Sequence, residues 1–239
     1  MGIQKDIYER YWTDGGPVIG SYMHWRLELL KNYIKNNKRI LDVGCGDGNA
    51  SGNFTRDNDL FGIDISQVAL KKALERRLRV CACNIDDGEF PFKDGSFDLV
   101  LILDVLEHII NPATVLKEAR RVSSETGLMI VTVPNGLNLM NRLYFLSGKF
   151  VDVFDQNHRY KDRLFTEHIR LFSKEVLEKM VVDEGLEIVD RHYYFPSRFE
   201  ETNWKKFQTI GDIIYKTDLY RRMPTLFSLG LFYVLTKST

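Results

Sequence analysis

Cysteine is scarce in this chain: Cys45, Cys81 and Cys83 are the only three in 239 residues. An odd, small count provides no disulfide framework, so a reducing, cytoplasmic setting is the expectation. Net charge is absent too, because 33 Lys and Arg balance 33 Asp and Glu. A general nucleic-acid binder carries a basic surplus, so nucleic acid is not an expected partner. Long apolar runs are also missing. Stretches such as residues 99–103 and 128–133 fall far short of the ~18 residues a membrane helix requires, so no integral membrane association is expected. The opening MGIQKDIYERYW lacks the apolar core of a signal peptide. No internal repeat, low-complexity tract or Pro/Gly/Ser-rich linker divides the chain. Apolar residues at 44% and charged residues at 28% fit an ordinary globular composition, and a single domain over 1–239 is expected.

Against these absences stands a regular alternation of strand and helix patterns from about residue 20 to 135. Met23, Leu27, Leu30 and Ile34 recur at helical spacing. RILDV (39–43), LFGID (60–64), residues 80–84, FDLVLIL (97–103) and residues 128–133 read as strands. The fourth is apolar throughout after Asp98, as a strand buried on both faces should be. Ser66 offers an N-cap to a helix with Leu70, Ala73, Leu74 and Leu78 on its inner face. Asn111 and Pro112 open another, with Val115, Leu116, Ala119 and Val122 inward. Ser173 caps a third that buries Val176, Leu177, Met180 and Val181 before Gly185 ends it. Residues 186–195 and 230–237 add two strands, and 204–222 reads as helical. The last run, GLFYVLTK, is short and β-branched or aromatic, which suits a strand better than a membrane-surface anchor. Strands joined by helical crossovers imply an α/β, doubly wound, mostly parallel Rossmann-like sheet of seven strands with helices on both faces. Such sheets bind ligands at the carboxyl ends of their strands.

The first strand runs into Asp42-Val43-Gly44-Cys45-Gly46-Asp47-Gly48. Alternating glycines let the backbone turn sharply and let a ligand touch the main chain. The spacing G-x-G-x-G differs from the dinucleotide fingerprint G-x-G-x-x-G, and residues 49–58 make a poor helix to carry a pyrophosphate. A phosphate-bearing cofactor is therefore disfavoured, and a nicotinamide-dependent oxidoreductase with it. Asp64 ends the second strand, twenty residues beyond Gly44. It can complement a helix dipole or accept both hydroxyls of a ribose. Ser66 is the better cap, which favours the ribose.

LDVGCGDGN (41–49), GIDIS (62–66), FPFKDGSFDLVLILDVLEH (90–108) and LMIVTVPN (128–135) occur in order. Together they resemble the class I S-adenosylmethionine (SAM)-dependent methyltransferases, in particular the small-molecule subgroup. HIRLFSKEVLEKMVVDEGLEIV (168–189) is similar to that family's C-terminal helix and strand, and GLFYVLTK to its antiparallel closing strand. The resemblance implies an N-terminal helical lid over 1–36, a cofactor-binding core over 37–135, a substrate-side insertion over 136–172, and C-terminal helices and closing strands over 173–239. It implies SAM as cofactor and S-adenosylhomocysteine as product. Asp42, Gly44, Cys45, Gly46 and Gly48 match the loop at the methionine end, Asp64 the ribose acid, and Ile65 the neighbour of the adenine. At the adenine amine the chain departs from the pattern. Counting along the strand places Asn84 and Ile85 there; counting back from Pro91 places Asp86. Leu103 and Asp104 match positions that pack the methionine arm.

An activated sulfonium methyl requires alignment and exclusion of water, which suits a lid. Residues 1–25 and 136–172 are candidates for lid and pocket, with Tyr8, Tyr11, Trp12, Tyr22, Tyr144 and Tyr160 to enclose the donor. A hydroxyl acceptor needs a general base, and His108 is the leading candidate, unless Glu107 and His108 merely orient the loop, the stronger of the two readings. His158 and His168 read as surface histidines. Cys81 and Cys83 read as buried and unreactive, the ERRLR run (75–79) as a solvated helix end, and no metal site is expected. The expected activity is methyl transfer to an oxygen, nitrogen or carbon of a small molecule or a glycan- or lipid-linked intermediate. A SAM-binding module without turnover is the alternative. The oligomeric state is not legible.

Overall fold

FDLVLIL becomes the central strand β4 (Phe97–Leu103), in which Val100, Leu101 and Ile102 are fully buried. The computed structural model describes residues 2–14, 21–148, 168–196 and 208–238. On one flank of β4 lies β1 (Arg39–Val43), then β2 (Asp59–Asp64) and β3 (Arg79–Ala82). On the other lie β5 (Ser123–Pro134), β7 (Gly230–Lys237) and β6 (Leu186–Tyr194), giving a seven-stranded order β3-β2-β1-β4-β5-β7-β6. The pairs among β1 to β5 are parallel. β7 runs antiparallel to both β5 and β6. The chain order reverses between β1 and β4, so a crevice opens there at the carboxyl ends of the strands.

Side chains alternate across the sheet with period two. Leu41, Val43, Val100, Ile102, Met129 and Val131 face a layer that includes α4 (Pro112–Val122) and α6 (Lys174–Asp183). Ile40, Leu99, Leu101, Ile130, Phe232 and Val234 face α2 (Ser21–Tyr33) and α3 (Gln67–Glu75). Each fully buried leucine here contributes about 2 kcal/mol of transfer free energy. The remaining helices among the described residues are α1 (Gly2–Thr13), α5 (Leu139–Leu146), α7 (Gln208–Lys216), α8 (Leu219–Arg222) and α9 (Pro224–Phe227). No helix among the described residues is long and apolar enough to cross a membrane.

Several expectations need correction. The third strand is short and edge-placed, so Cys81 is exposed and Cys83 half-buried rather than both being buried. Leu74 and Val176 point outward at 55% exposure each, because one helix stripe suffices to cover the sheet. Leu78 is buried but lies beyond α3. Asn111 precedes α4 without a side-chain cap, and Pro112 takes the first turn. His168 is not a surface residue: its side chain is 11% exposed and lies against Glu107. Tyr160, His158 and residues 204–207 lie outside the described residues.

Candidate active site

At the end of β1 the chain turns through three glycines with left-handed backbone, Gly44 (φ 68°), Gly46 (φ 52°) and Gly48 (φ 72°). The N–H groups of Gly44 and Cys45 both donate to the Ile63 carbonyl at 2.8 and 3.0 Å, which fastens the loop to β2. A Cβ at Gly44 would lie 2.7 Å from Val105, and one at Gly46 2.4 Å from the indole of Trp12. Only glycine permits both the turn and these approaches.

Asp64, at the end of β2, organises this half of the crevice. Its Oδ2 accepts from Gly46 N–H at 2.9 Å and its Oδ1 from Ser66 N–H at 2.8 Å. A carboxylate has about four acceptor positions, so these backbone bonds leave it acceptor capacity toward the crevice. Burial raises its pKa above the usual carboxylate range, opposed by the N–H groups of Ser66, Gly46 and Ile65. Asp42, buried at the end of β1, is pushed up to about 7 by burial, with the nearby Ser51 hydroxyl and Arg26 opposing and Asp64 adding to the rise. Burial likewise holds the Cys45 thiol well above its ordinary range.

Helix α1 lies across this loop. Glu9 accepts from Gln67 N–H (2.9 Å), Val68 N–H (3.0 Å) and the Ser66 hydroxyl (2.9 Å) at the N-terminus of α3. Ser66 itself caps α3 by accepting from Ala69 N–H at 3.1 Å. Burial of Glu9 raises its pKa, but the N–H groups of Val68 and Gln67 outweigh it and hold the carboxyl below the usual range. Lys72 donates to the Trp12 carbonyl at 2.9 Å, and the Trp12 side chain is buried against Gly46.

The end of β4 is built differently. Asp104 adopts φ 56°, which costs a non-glycine residue on the order of 1 kcal/mol. Four groups hold it there: an ion pair with Arg26, the Tyr22 hydroxyl donating at 3.1 Å, the Thr132 hydroxyl donating at 2.9 Å, and the Thr132 carbonyl accepting from its N–H at 3.1 Å. Arg26 sits on α2, four residues before Leu30, on the face turned to the core, and is itself buried. Its charge also acts on Asp42. Beyond Asp104, a one-turn 3₁₀ helix, Leu106–His108, presents Glu107 and His108. His108 lies between the rings of Tyr8 on α1 (6.3 Å between centroids) and His168 (4.7 Å).

The adenine-side candidates are engaged locally. Asn84 accepts from Asp86 N–H at 3.3 Å and donates to Asp87 at 2.9 Å, opening the short turn Ile85–Asp87. Asp86 accepts from Ile110 N–H at 2.8 Å, tying that turn to the loop after β4, and Ile85 enters the core. Ile65 and Leu103 are half-buried beside Asp64 and Asp104. Sequence reasoning passed over Arg26, Glu9, Thr132 and the pairing of Glu107 with His168. Only Arg26 left a signal, a charged residue on the apolar stripe of its helix.

A family model for the methyltransferase domain matches residues 34–210. An uncharacterized protein of Methanocaldococcus jannaschii is 31% identical over 208 residues, spanning 82% of this chain and 81% of that protein. The ubiquinone biosynthesis O-methyltransferase of Nitrosococcus oceani is 34% identical over 140 residues, 55% of this chain and 59% of that enzyme. Among solved structures, a SAM-dependent methyltransferase of Thermotoga maritima shares the fold with a TM-score of 0.63 at 20% identity, over 98% of this chain and 99% of that one. With the glycine loop, the acid after β2 and the antiparallel β7 all in place, the chain belongs to the class I SAM-dependent methyltransferases.

Proposed function

We propose that this enzyme methylates a hydroxyl oxygen of a small molecule or of a glycan- or lipid-linked intermediate, nitrogen and carbon acceptors being the alternatives. The observation that carries this reading is the imidazole and carboxylate cluster after β4, where Glu107, His108 and His168 meet. A hydroxyl nucleophile must give up a proton, whereas a neutral amine needs little help. His108, between Tyr8 and His168, is the candidate base. The Nitrosococcus relative is named for an O-methyl transfer, which agrees in kind over half of the chain.

The residues fit SAM. Asp64 keeps acceptor capacity toward the ribose hydroxyls it would hold, and Ile65 would flank the adenine, with Asn84, Ile85 and Asp86 beyond it. The methionine end carries an ammonium and a carboxylate, which Asp42 and Arg26 complement. The loop Gly44, Cys45, Gly46 and Gly48 supplies close backbone approach, and Leu103 and Asp104 line the methionine arm. When bound, SAM supplies a methyl group activated on a sulfonium. The protein's own part is orientation and exclusion of water. Trp12 and Tyr8 on α1 cover the crevice, and the Asp104 network fixes its floor.

Two measurements test this. Thermal-shift titration should show stabilisation by SAM and S-adenosylhomocysteine and none by NAD. Release of S-adenosylhomocysteine should then be followed with hydroxyl, amine, peptide and RNA acceptors. Turnover with small hydroxyl acceptors supports the proposal, and turnover confined to peptides or RNA overturns it.

A further inference from the structure

We infer that Glu107, His108 and His168 bind a divalent transition-metal ion of the zinc type beside the crevice. One ligand atom from each of the three lies within 4.8 Å of the other two. The Glu107 side chain is 2% exposed and that of His168 is 11% exposed, with His168 Nε2 3.9 Å from Glu107 Oε1. The two imidazole planes stand at 68° with centroids 4.7 Å apart.

The third ligand comes from 60 residues further along the chain, yet the backbone fastens it in place. Ile169 N–H donates to the Glu107 carbonyl at 3.0 Å, and Arg170 donates to the Ile110 carbonyl at 2.5 Å. Gly136 N–H donates to the Phe172 carbonyl at 2.7 Å, which ties the same segment to the end of β5. Residues 168–172 are thus held against the turn that carries the other two ligands.

The donor chemistry selects the ion. Two imidazole nitrogens and one carboxylate suit zinc, cobalt, nickel or ferrous iron, whereas magnesium and calcium prefer oxygen alone. Tetrahedral zinc, with bonds of about 2.1 Å, holds its ligands about 3.4 Å apart, so side-chain rotation of about an ångström completes the site. Three protein ligands leave one position open, as in catalytic sites. An acceptor hydroxyl held there would be more acidic and would release its proton to bulk water, with His108 serving as ligand instead of base. That use rests on the proposed O-methylation; the binding itself does not.

The test is therefore made without SAM or acceptor. Chelator-treated protein is titrated calorimetrically with Zn²⁺, with Mg²⁺ as comparison, and with Co²⁺ followed by visible absorption. One Zn²⁺ per chain, weak or no Mg²⁺ binding and a Co²⁺ spectrum of low coordination number are expected. His168→Ala and Glu107→Gln should each weaken Zn²⁺ by about tenfold or more. His192→Ala, on β6, should leave it unchanged. Absence of stoichiometric Zn²⁺ binding overturns the proposal, as does a folded His168→Ala protein with unaltered affinity. If either variant fails to fold, an octahedral all-oxygen Co²⁺ spectrum in the unsubstituted protein overturns it alone.

Discussion

The two halves of the crevice are held by different means. After β1 and β2, the fasteners are main-chain N–H groups: Asp64 takes those of Gly46 and Ser66, and the Ile63 carbonyl takes those of Gly44 and Cys45. After β4, the fasteners are side chains from distant elements. Tyr22 and Arg26 reach Asp104 from α2, Thr132 reaches it from β5, and His168 meets Glu107 from before α6. The half after β1 and β2 is therefore set mainly by its own loop and strand ends, with α1 laid across them. The half after β4 exists only once the sheet has brought α2, β5 and residues 168–172 together.

Substitutions that remove one fastener at a time sharpen this contrast. Arg26→Ala should have the largest effect, because it leaves Asp104 at φ 56° without its ion pair. A loss of about 3 kcal/mol in urea unfolding is expected, toward the lower end for a buried pair because Asp104 retains 25% side-chain exposure. A loss below about 1 kcal/mol would place the pair among surface ion pairs and weaken the contrast. Asp64→Ala comes next, with its effect on the cofactor. Charge-assisted hydrogen bonds contribute about 1.5–3 kcal/mol each, so losing both ribose bonds should lower SAM affinity about a hundredfold or more, and most of the SAM-induced thermal shift should vanish. An unchanged shift would remove Asp64 from the ribose site.

Glu9→Gln should be the smallest, about 0.5–1 kcal/mol of α1 docking, the value of a carboxylate at a helix N-terminus. Its pH dependence has a definite sign. The folded-state pKa of Glu9 is lowered, so its contribution is present above the ordinary carboxylate range. That contribution is lost as pH falls through the lowered value, below about pH 4. Trp12 fluorescence, isolated by difference against Trp12→Phe, should report undocking in that window for the unsubstituted protein. A Glu9→Gln protein with the same acid transition would show that Glu9 does not clamp α1.

The same contrast explains what the sequence made legible. RILDV, FDLVLIL and GLFYVLTK fold as strands with the expected bounds, because continuous apolar runs flanked by glycine or charge have one stable use. The glycine loop and Asp64 were equally readable, since a left-handed turn after a strand admits few residues. Asp64 nevertheless carries a second duty that spacing does not reveal: it anchors Gly46 as well as facing the crevice. Glu9 and His168 were illegible because their partners are 57 or more residues away and nothing local marks them. Leu74 and Val176 were misread because apolar periodicity does not say how wide a stripe the sheet will cover.

The insertion of β7 between β5 and β6 sets a schedule for synthesis. The five parallel strands can pair as each emerges from the ribosome, but among the described residues β6 pairs only with β7. Met129 to Pro134 on β5 meet theirs only when residues 230–235 arrive. Until then the nascent chain exposes the unpaired edge of an apolar strand, the kind of edge that recruits other chains. Shielding by chaperones during this interval would matter more for this topology than for one whose strands pair in order of synthesis.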